Sequence, residues 1–284
     1  MNRTRRIAAT LLALIMLISA FGATAAFADS ASEPEALAYL NGQLRVGMEC
    51  AYAPNNWQES EPSDTNVPIE NVSGAYAEGY DVQIARIIAD QLGLELVVVK
   101  MEWDGLIEAL NQGQIDAIIA GMADTESRKE AINFSAPYHE TVYALMVNAG
   151  TPYENATSLA DFAGASVLGQ KDTALDWTID QIEGVNHLPA VASVPDMIAR
   201  LQQGTCDAIV INLENFPGYQ AVNHNFVAIS FPEGEGLDPG FRGACVGLRK
   251  SDDALLDMVN DILGSVDQEQ RDEMWDVAMN NQPT

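Results

Sequence analysis

The sequence is poor in the residues that build metal centres and disulfide scaffolds. Its 284 residues include only three cysteines and three histidines. Cys50, Cys206 and Cys245 show no C-x-x-C spacing, and an odd number cannot all pair within one chain. One disulfide with one buried thiol and three buried thiols are both compatible with that pattern. His139, His187 and His224 are scattered without metal-ligand spacing, so packed or solvated rings are expected and neither metal nor cofactor is implied. Positive charge is also scarce: 14 Lys and Arg stand against 41 Asp and Glu, a net charge of −27. A polyanion of that size excludes electrostatic binding to nucleic acid or to an anionic membrane. The charge names no ligand, although it does not hinder a cationic one.

Long apolar runs are confined to the first residues. The cationic stretch Met1-Asn2-Arg3-Thr4-Arg5-Arg6 leads into an apolar segment, Ile7 to Ala28, that closes on Ala26-Phe27-Ala28. Together these describe a cleavable secretory signal over residues 1–28. The run is just long enough to act instead as an uncleaved anchor, but its small-residue second half favours cleavage. No cysteine lies near the cleavage region, so the usual lipid-attachment signal is absent. The expected location is therefore extracytoplasmic, in a periplasm or at the cell surface. Removing the segment takes away three arginines and no acids, which deepens the charge to −30 over 256 residues.

From Asn41 onward short apolar runs alternate with helical periodicity, the pattern of an α/β domain. Strands are predicted at 44–48, 95–99 and 115–119, and helices at 82–92 (capped by Asp81) and 103–112. Residues 54–77, rich in Pro, Asn and Ser, read as a loop. A second series gives strands at 166–168 and 208–211 with helices at 173–182 and 194–203. A strand at 244–248 and helices at 253–263 and 267–279 follow.

The most informative feature is an internal repeat. Leu110-Asn111-Gln112-Gly113-Gln114-Ile115-Asp116-Ala117-Ile118-Ile119 matches Leu201-Gln202-Gln203-Gly204-Thr205-Cys206-Asp207-Ala208-Ile209-Val210 without a gap. Each copy reads as a helix, a glycine cap, a tight turn and a buried strand, which points to two similar lobes. Gly121 and Asn212 then occupy equivalent positions just past the matched strands. Open α/β sheets bind ligands beyond the carboxyl ends of their strands, so both residues belong in one cleft. The run Gly121-Met122-Ala123 lets a ligand approach the backbone closely. Arg128 lies just beyond, in the place to grip a carboxylate with two parallel hydrogen bonds.

Several stretches together resemble the polar amino-acid-binding family of ABC-importer receptors. They are Arg45-Val46-Gly47-Met48-Glu49-Cys50-Ala51-Tyr52-Ala53-Pro54, Gly79-Tyr80-Asp81-Val82, Trp103-Asp104-Gly105-Leu106-Ile107, 116–122 with Thr125 and Arg128, and Ile132-Asn133-Phe134-Ser135-Ala136-Pro137-Tyr138. Ser158-Leu159-Ala160-Asp161-Phe162-Ala163-Gly164 and Val246-Gly247-Leu248-Arg249-Lys250 extend the likeness along the mature chain. The resemblance implies a two-lobed, type II periplasmic-binding-protein-like α/β fold. Lobe 1 would comprise 41–140 and 244–284 and lobe 2 143–241, with hinge crossings near His139 to Val142 and Arg242 to Val246.

The resemblance also implies site roles. Arg128 would hold the ligand α-carboxylate with backbone groups of Gly121 and Ala123, and Thr173 would add to that grip. Tyr52 and Trp103 would sandwich the ligand stem, and Glu49 would read its side chain. Asn212 stands where the family has an acid for the α-ammonium, with Glu214 two residues on. Asp172 and Ala123 replace the family's glycine and serine. The implied function is a monomeric, non-enzymatic receptor that closes about its hinge on a free amino acid and docks on an ABC-transporter membrane permease. Glu49 and Glu214 point to a cationic ligand; a neutral polar one follows if either replaces the missing ammonium partner. The alternatives are a cyclohexadienyl-dehydratase-like enzyme on the same fold and a soluble ligand sensor.

Overall fold

The computed structural model describes residues 37–241 and 243–283, so the predicted signal segment 1–28 and the hinge residue Arg242 lie outside the described residues. All elements below belong to one compact unit, Ala38–Thr284. Among the described residues no helix is long and apolar enough to cross a membrane.

The first strand, β1 (Gln43–Met48), carries Leu44, Val46 and Met48, all fully buried. Residues 54–77 are not the loop their composition predicts. Four short strands, β2 (Ala51–Tyr52), β3 (Asn56–Glu59), β4 (Val67–Pro68) and β5 (Tyr76–Glu78), form an antiparallel sheet there. Strands of two to four residues leave no periodicity to read, and the buried Trp57 alone hints at packing. Helix α1 (Tyr80–Leu92) begins two residues earlier than predicted. Gly79 is its N-cap, and Asp81 sits inside the first turn rather than capping it. Its buried face is Val82, Ile84, Ala85, Ile88 and Ala89, and it ends on Gly93 in the left-handed conformation (φ 68°).

β6 (Glu95–Lys100) follows, then a 3₁₀ turn that delivers α2 (Leu106–Asn111), so the predicted 103–112 helix is split in two. β7 (Ala117–Ile118), α3 (Glu126–Ala131) and β8 (Asn133–Glu140) complete this half. Only Thr141 and Val142 separate β8 from β9 (Tyr143–Asn148), which pairs in a different sheet. β10 (Ser166–Leu168), α4 (Ala174–Trp177), β11 (Asn186–His187), α5 (Val194–Gln202), β12 (Ala208–Asn212), α6 (Phe216–Val222) and β13 (Phe226–Ile229) follow. The predicted 173–182 helix is likewise an α-turn continued by a 3₁₀ turn, Thr178–Gln181. The chain returns through β14 (Gly243–Leu248) to α7 (Asp253–Ser265) and α8 (Gln268–Asn281).

The two large sheets are built alike. Their strand orders are β6-β1-β7-β14-β8 and β11-β10-β12-β9-β13. In each, the first three strands are parallel and the next two run antiparallel to their neighbours. The repeat occupies the same place in both: α2 and α5, glycines with positive φ (Gly113 73°, Gly204 65°), then β7 and β12. Its two aspartates do the same work. Asp116 accepts from the Arg45 backbone N–H (3.1 Å) and Asp207 from that of Ser166 (2.8 Å), each fastening its turn to the neighbouring parallel strand, β1 or β10. All three cysteines are buried free thiols, which decides between the two cysteine arrangements.

A buried polar network joins the segments at the carboxyl end of the first sheet. Asp81 is 0% exposed and accepts from the Tyr138 hydroxyl (2.7 Å) and the Asn56 amide (2.8 Å). Asn56 Oδ1 in turn accepts from the Cys50 N–H (2.8 Å), and the Tyr138 oxygen from the Gly121 N–H (3.0 Å). A buried carboxylate is tolerable only when such donors replace its water. Asp81→Ala strands Tyr138 and Asn56, so a loss of about 3 kcal/mol or more in urea unfolding is expected. Asp81→Asn, which keeps the shape and an acceptor, should lose less. An alanine variant as stable as the parent would show that the network is not required.

Candidate functional site

The carboxyl ends of β1, β7 and β12 and the starts of β9 and α4 enclose one cavity between the two sheets. All nine sequence-predicted residues line it: Glu49, Tyr52, Trp103, Gly121, Ala123, Arg128, Thr173, Asn212 and Glu214. Glu49 follows β1 and Gly121 follows β7, while Asn212 is the last residue of β12 and pairs with Tyr143 at the start of β9. Gly121 has φ +64°, and a Cβ there would come within 3.1 Å of the Tyr52 ring, so the position needs glycine on both counts.

Arg128 leaves the first turn of α3, whose N-cap Thr125 accepts from the Arg128 N–H (3.3 Å). Its guanidinium lies over the Trp103 ring at 5.1 Å. Nη1 donates to the Ala123 carbonyl (2.9 Å) and Nη2 crosses to the Asp172 carbonyl (2.8 Å). Asp172, where the family resemblance expects glycine, adopts φ +58°, a left-handed conformation that Asp tolerates better than most residues. Burial pushes the Arg128 pKa down to about 10, so the group stays charged at neutrality. Among the described residues it has no carboxylate in ion-pair contact. Three of its five N–H donors remain for a ligand.

Other polar groups meet across the cleft. The Tyr52 hydroxyl donates to Asn212 Oδ1 (2.5 Å), and Asn212 Nδ2 donates to the Thr141 hydroxyl. Gln170, 4% exposed, donates to Glu49 Oε1 (3.3 Å) and to the Ala192 carbonyl (3.1 Å). Burial raises the Glu49 pKa to about 7, opposed by the Gln170 hydrogen bond and reinforced by Glu102 and Asp104. Thr173 caps α4: its oxygen accepts from the Leu175 N–H and its hydroxyl donates to the Gln170 carbonyl. That hydroxyl proton is already committed within the chain. At the rim, Lys171 reaches Asp104 at 2.5 Å.

The sequence reading missed Asn55, Thr141, Tyr143, Gln170 and Phe241, which also line the cavity. Tyr143 and Gln170 could have been reached through their neighbours: one faces Asn212 across the strand pair, the other precedes Thr173 by three residues. His139, for which a packed or a solvated ring was expected, is packed and lines the cavity as well. His187 is held between Asp176 (2.9 Å) and Asp180 (2.8 Å), and His224 is exposed. Among the described residues no group of His, Cys, Asp and Glu is placed to hold a metal ion. Trp275, in α8, is partly exposed and stacks on His139.

The chain is 28% identical over 275 residues to a probable histidine-binding protein of Neisseria gonorrhoeae, covering 94% of this chain and 91% of that one. Among solved structures, holo ArgBP from T. maritima is 26% identical with a TM-score of 0.67, covering 83% of this chain and 96% of that one. An amino acid ABC transporter substrate-binding protein from Streptococcus pneumoniae, bound to L-arginine, has a TM-score of 0.75 at 24% identity and covers 89% and 99%; at that identity the likeness shows the fold alone. That fold is the two-lobed type II arrangement. The model of the bacterial extracellular solute-binding proteins, family 3, matches residues 44–275, so the chain belongs to that family.

Proposed function

We propose that this protein captures a free amino acid outside the cytoplasm and presents it to the membrane permease of an ABC importer, without converting it. The observation that carries the reading is Arg128: a charged guanidinium laid over the Trp103 ring and hydrogen-bonded only to backbone carbonyls, with donors left over for a carboxylate. Gly121 and Ala123 bring backbone against the same space. Tyr52 and Trp103 supply the apolar walls, and Thr173 acts through its backbone N–H, since its hydroxyl proton is committed.

The ligand class we favour is a cationic amino acid. Glu49 and Glu214 are the carboxylates that line the cavity, and histidine- and arginine-binding proteins are among the relatives. Lobe 1 comprises 41–140 and 244–284 and lobe 2 143–241, with Thr141 and Val142 at one crossing. Contacts such as Tyr52–Asn212 and Glu49–Gln170 are made only when the lobes meet, so ligand bonds from both sides stabilise the closed form. The receptor works as an exported monomer, released by cleavage after residue 28.

Thermal unfolding of residues 29–284 against a panel of common amino acids tests this, since a ligand of the folded state raises the melting temperature by mass action. L-arginine or L-lysine should give a selective rise, absent in Arg128→Ala and reduced in Glu49→Gln. Product formation on prolonged incubation, followed by mass spectrometry, would overturn the non-enzymatic part.

Glu49 adds a pH signature. Its folded-state pKa lies above the value of about 4.5 it has when unfolded. The protonated form is therefore the one the fold prefers, and stability present at low pH is lost as pH rises from 4.5 through 7. Glu49→Gln should be more stable than the parent by roughly 1–3 kcal/mol at about pH 8, and by little at about pH 4.5. A cation bound at Glu49 requires its ionised form, so affinity for L-arginine should climb from about pH 5.5 to pH 8. Urea unfolding and calorimetric titration at the two pH values check both.

A further inference from the structure

His187 has a hydrogen-bonding arrangement that only one protonation state of its ring satisfies. It stands on β11, the edge strand of the second sheet, beside Val167 of β10. Its Nε2 lies 2.9 Å from an Asp176 oxygen and its Nδ1 2.8 Å from an Asp180 oxygen. A neutral imidazole has one N–H and one lone pair, so either tautomer would turn a lone pair on a carboxylate. The imidazolium donates to both, through charge-assisted bonds. Asp176 belongs to α4 and Asp180 to the 3₁₀ turn Thr178–Gln181, so the two acids reach the ring from consecutive turns. Burial opposes the ring's charge, but the Asp176 and Asp180 bonds outweigh it and hold the pKa above its ordinary value.

What the ring grips from outside is a wall of the ligand cavity. Thr173, the N-cap of α4, lines that cavity together with Ala174 and Leu175. The Asp176 N–H donates to the Thr173 carbonyl (3.0 Å), so the placement of Asp176 is passed directly to Thr173. On another side the end of β10 presses on the same turn. A Cβ at Gly169 would come within 2.3 Å of the Leu175 carbonyl oxygen and 2.4 Å of the Asp176 Cα. The turn is thus located by backbone contact at Gly169 and by side-chain bonds at His187.

We infer that His187 is a positioning residue: as an imidazolium it clasps Asp176 and Asp180 and so fixes the 173–175 wall of the cavity, and loss of the ring proton releases the clasp. The clasp stands on the geometry alone, while its effect on ligand rests on the amino-acid reading above. Once released, two carboxylates face a neutral ring and each other, and the turn keeps only its contact with Gly169. A folded-state pKa raised above the unfolded one gives stability that is complete below the unfolded value and lost as pH rises through the folded one. His187 therefore favours binding on the acid side, whereas ionised Glu49 favours it at higher pH. The two groups belong to different sheets, so the cavity receives opposed pH responses from its two walls.

The surroundings leave the two acids as the groups that set the ring's charge. On its own strand stands the neutral Asn186, bonded to Ser166 of β10 (2.9 Å). Asp207, the acid of β12's turn, is committed to the Ser166 N–H. Glu183, between the 3₁₀ turn and β11, is exposed to solvent. The charges that act on His187 are Asp176 and Asp180. Asp176, with a side chain 26% exposed, should dominate over Asp180, which is 74% exposed and more screened.

Two measurements need no ligand. The His187 imidazole is titrated by nuclear magnetic resonance in the parent, in Asp176→Asn and in Asp180→Asn. The midpoint should fall by about half a pH unit or more in Asp176→Asn and by less in Asp180→Asn. Midpoints equal to the parent's in both variants overturn the clasp. Thermal unfolding of His187→Gln against the parent gives the second reading. The variant's melting temperature should lie below the parent's near pH 6, and the gap should narrow by about pH 8.5. A gap that stays constant with pH would reduce His187 to ordinary packing.

Calorimetric titration with L-arginine tests the effect on the cavity. Between about pH 6 and pH 8.5 affinity should rise about threefold more in His187→Gln than in the parent, because the variant keeps the Glu49 response without the opposing one. The same rise in both proteins would reject the positioning role while leaving the clasp to the ring titration. If L-arginine raises no melting temperature in either protein, the cationic reading fails, and the ring titration and the unfolding comparison still decide the clasp.

Discussion

The site depends first on a carboxylate that never meets the ligand. Asp81, sealed in the first turn of α1, holds Tyr138 and Asn56, and through them Gly121 and Cys50. Asp81 and those four partners lie on five different segments that converge at the carboxyl end of one sheet. The loops after β1 and β7 carry Glu49, Tyr52, Gly121 and Ala123, so fixing their bases fixes the cavity floor. Desolvation raises the Asp81 pKa, and the Tyr138 and Asn56 hydrogen bonds and nearby His139 counter it. At the helix start the Tyr80 and Asp81 N–H groups donate to the Pro54 and Asn55 carbonyls (3.0 and 2.8 Å), tying the loop before β3 to the same point. Cys50, pinned by Asn56, is held at φ +51°, an uncommon conformation for a non-glycine residue and one that directs Glu49 and Tyr52 into the cleft.

Much of this was legible beforehand, and the repeat explains why. Two stretches with the same helix, glycine, aspartate and strand in perfect register report two lobes because each residue type has a local job: Gly113 and Gly204 take positive φ, Asp116 and Asp207 tie the turn to the neighbouring parallel strand. Where the sequence reading failed, the missing information was long-range. Residues 54–77 pair with one another over two to four positions, too briefly for periodicity. Asp81 looked like a cap because Asp before an apolar run usually is one, yet its partners lie 25 and 57 residues away. The cross-cleft contacts Gln170 to Glu49 and Tyr52 to Asn212 join residues more than a hundred positions apart, and no local pattern announces them.

The departures from the family pattern share a physical logic. Asp172 replaces glycine without leaving the left-handed conformation, so its carbonyl still reaches Arg128 while its side chain meets Lys171 at the rim. Asn212 carries no charge and makes two neutral bonds, to the Tyr52 and Thr141 hydroxyls, which tie it to both sides of the cavity. In a low-dielectric cleft an exchange of charge for neutral hydrogen bonds changes which ligand groups are satisfied without disturbing the fold.

The strand order has a consequence for how the chain reaches this state. β14 lies between β7 and β8 in the first sheet, yet almost a hundred residues follow β9 before it appears. The second sheet is drawn from the contiguous stretch between β9 and β13. As the chain emerges from its amino end, that sheet has all its strands while the other still has a gap in its middle. The two halves of the molecule therefore acquire their full complement of neighbours at different times. Long-range closure of that kind is slow, because its loop entropy must be paid before the contacts exist. The last segment to arrive completes the lobe that the first segment began, and the polypeptide stays open until it does.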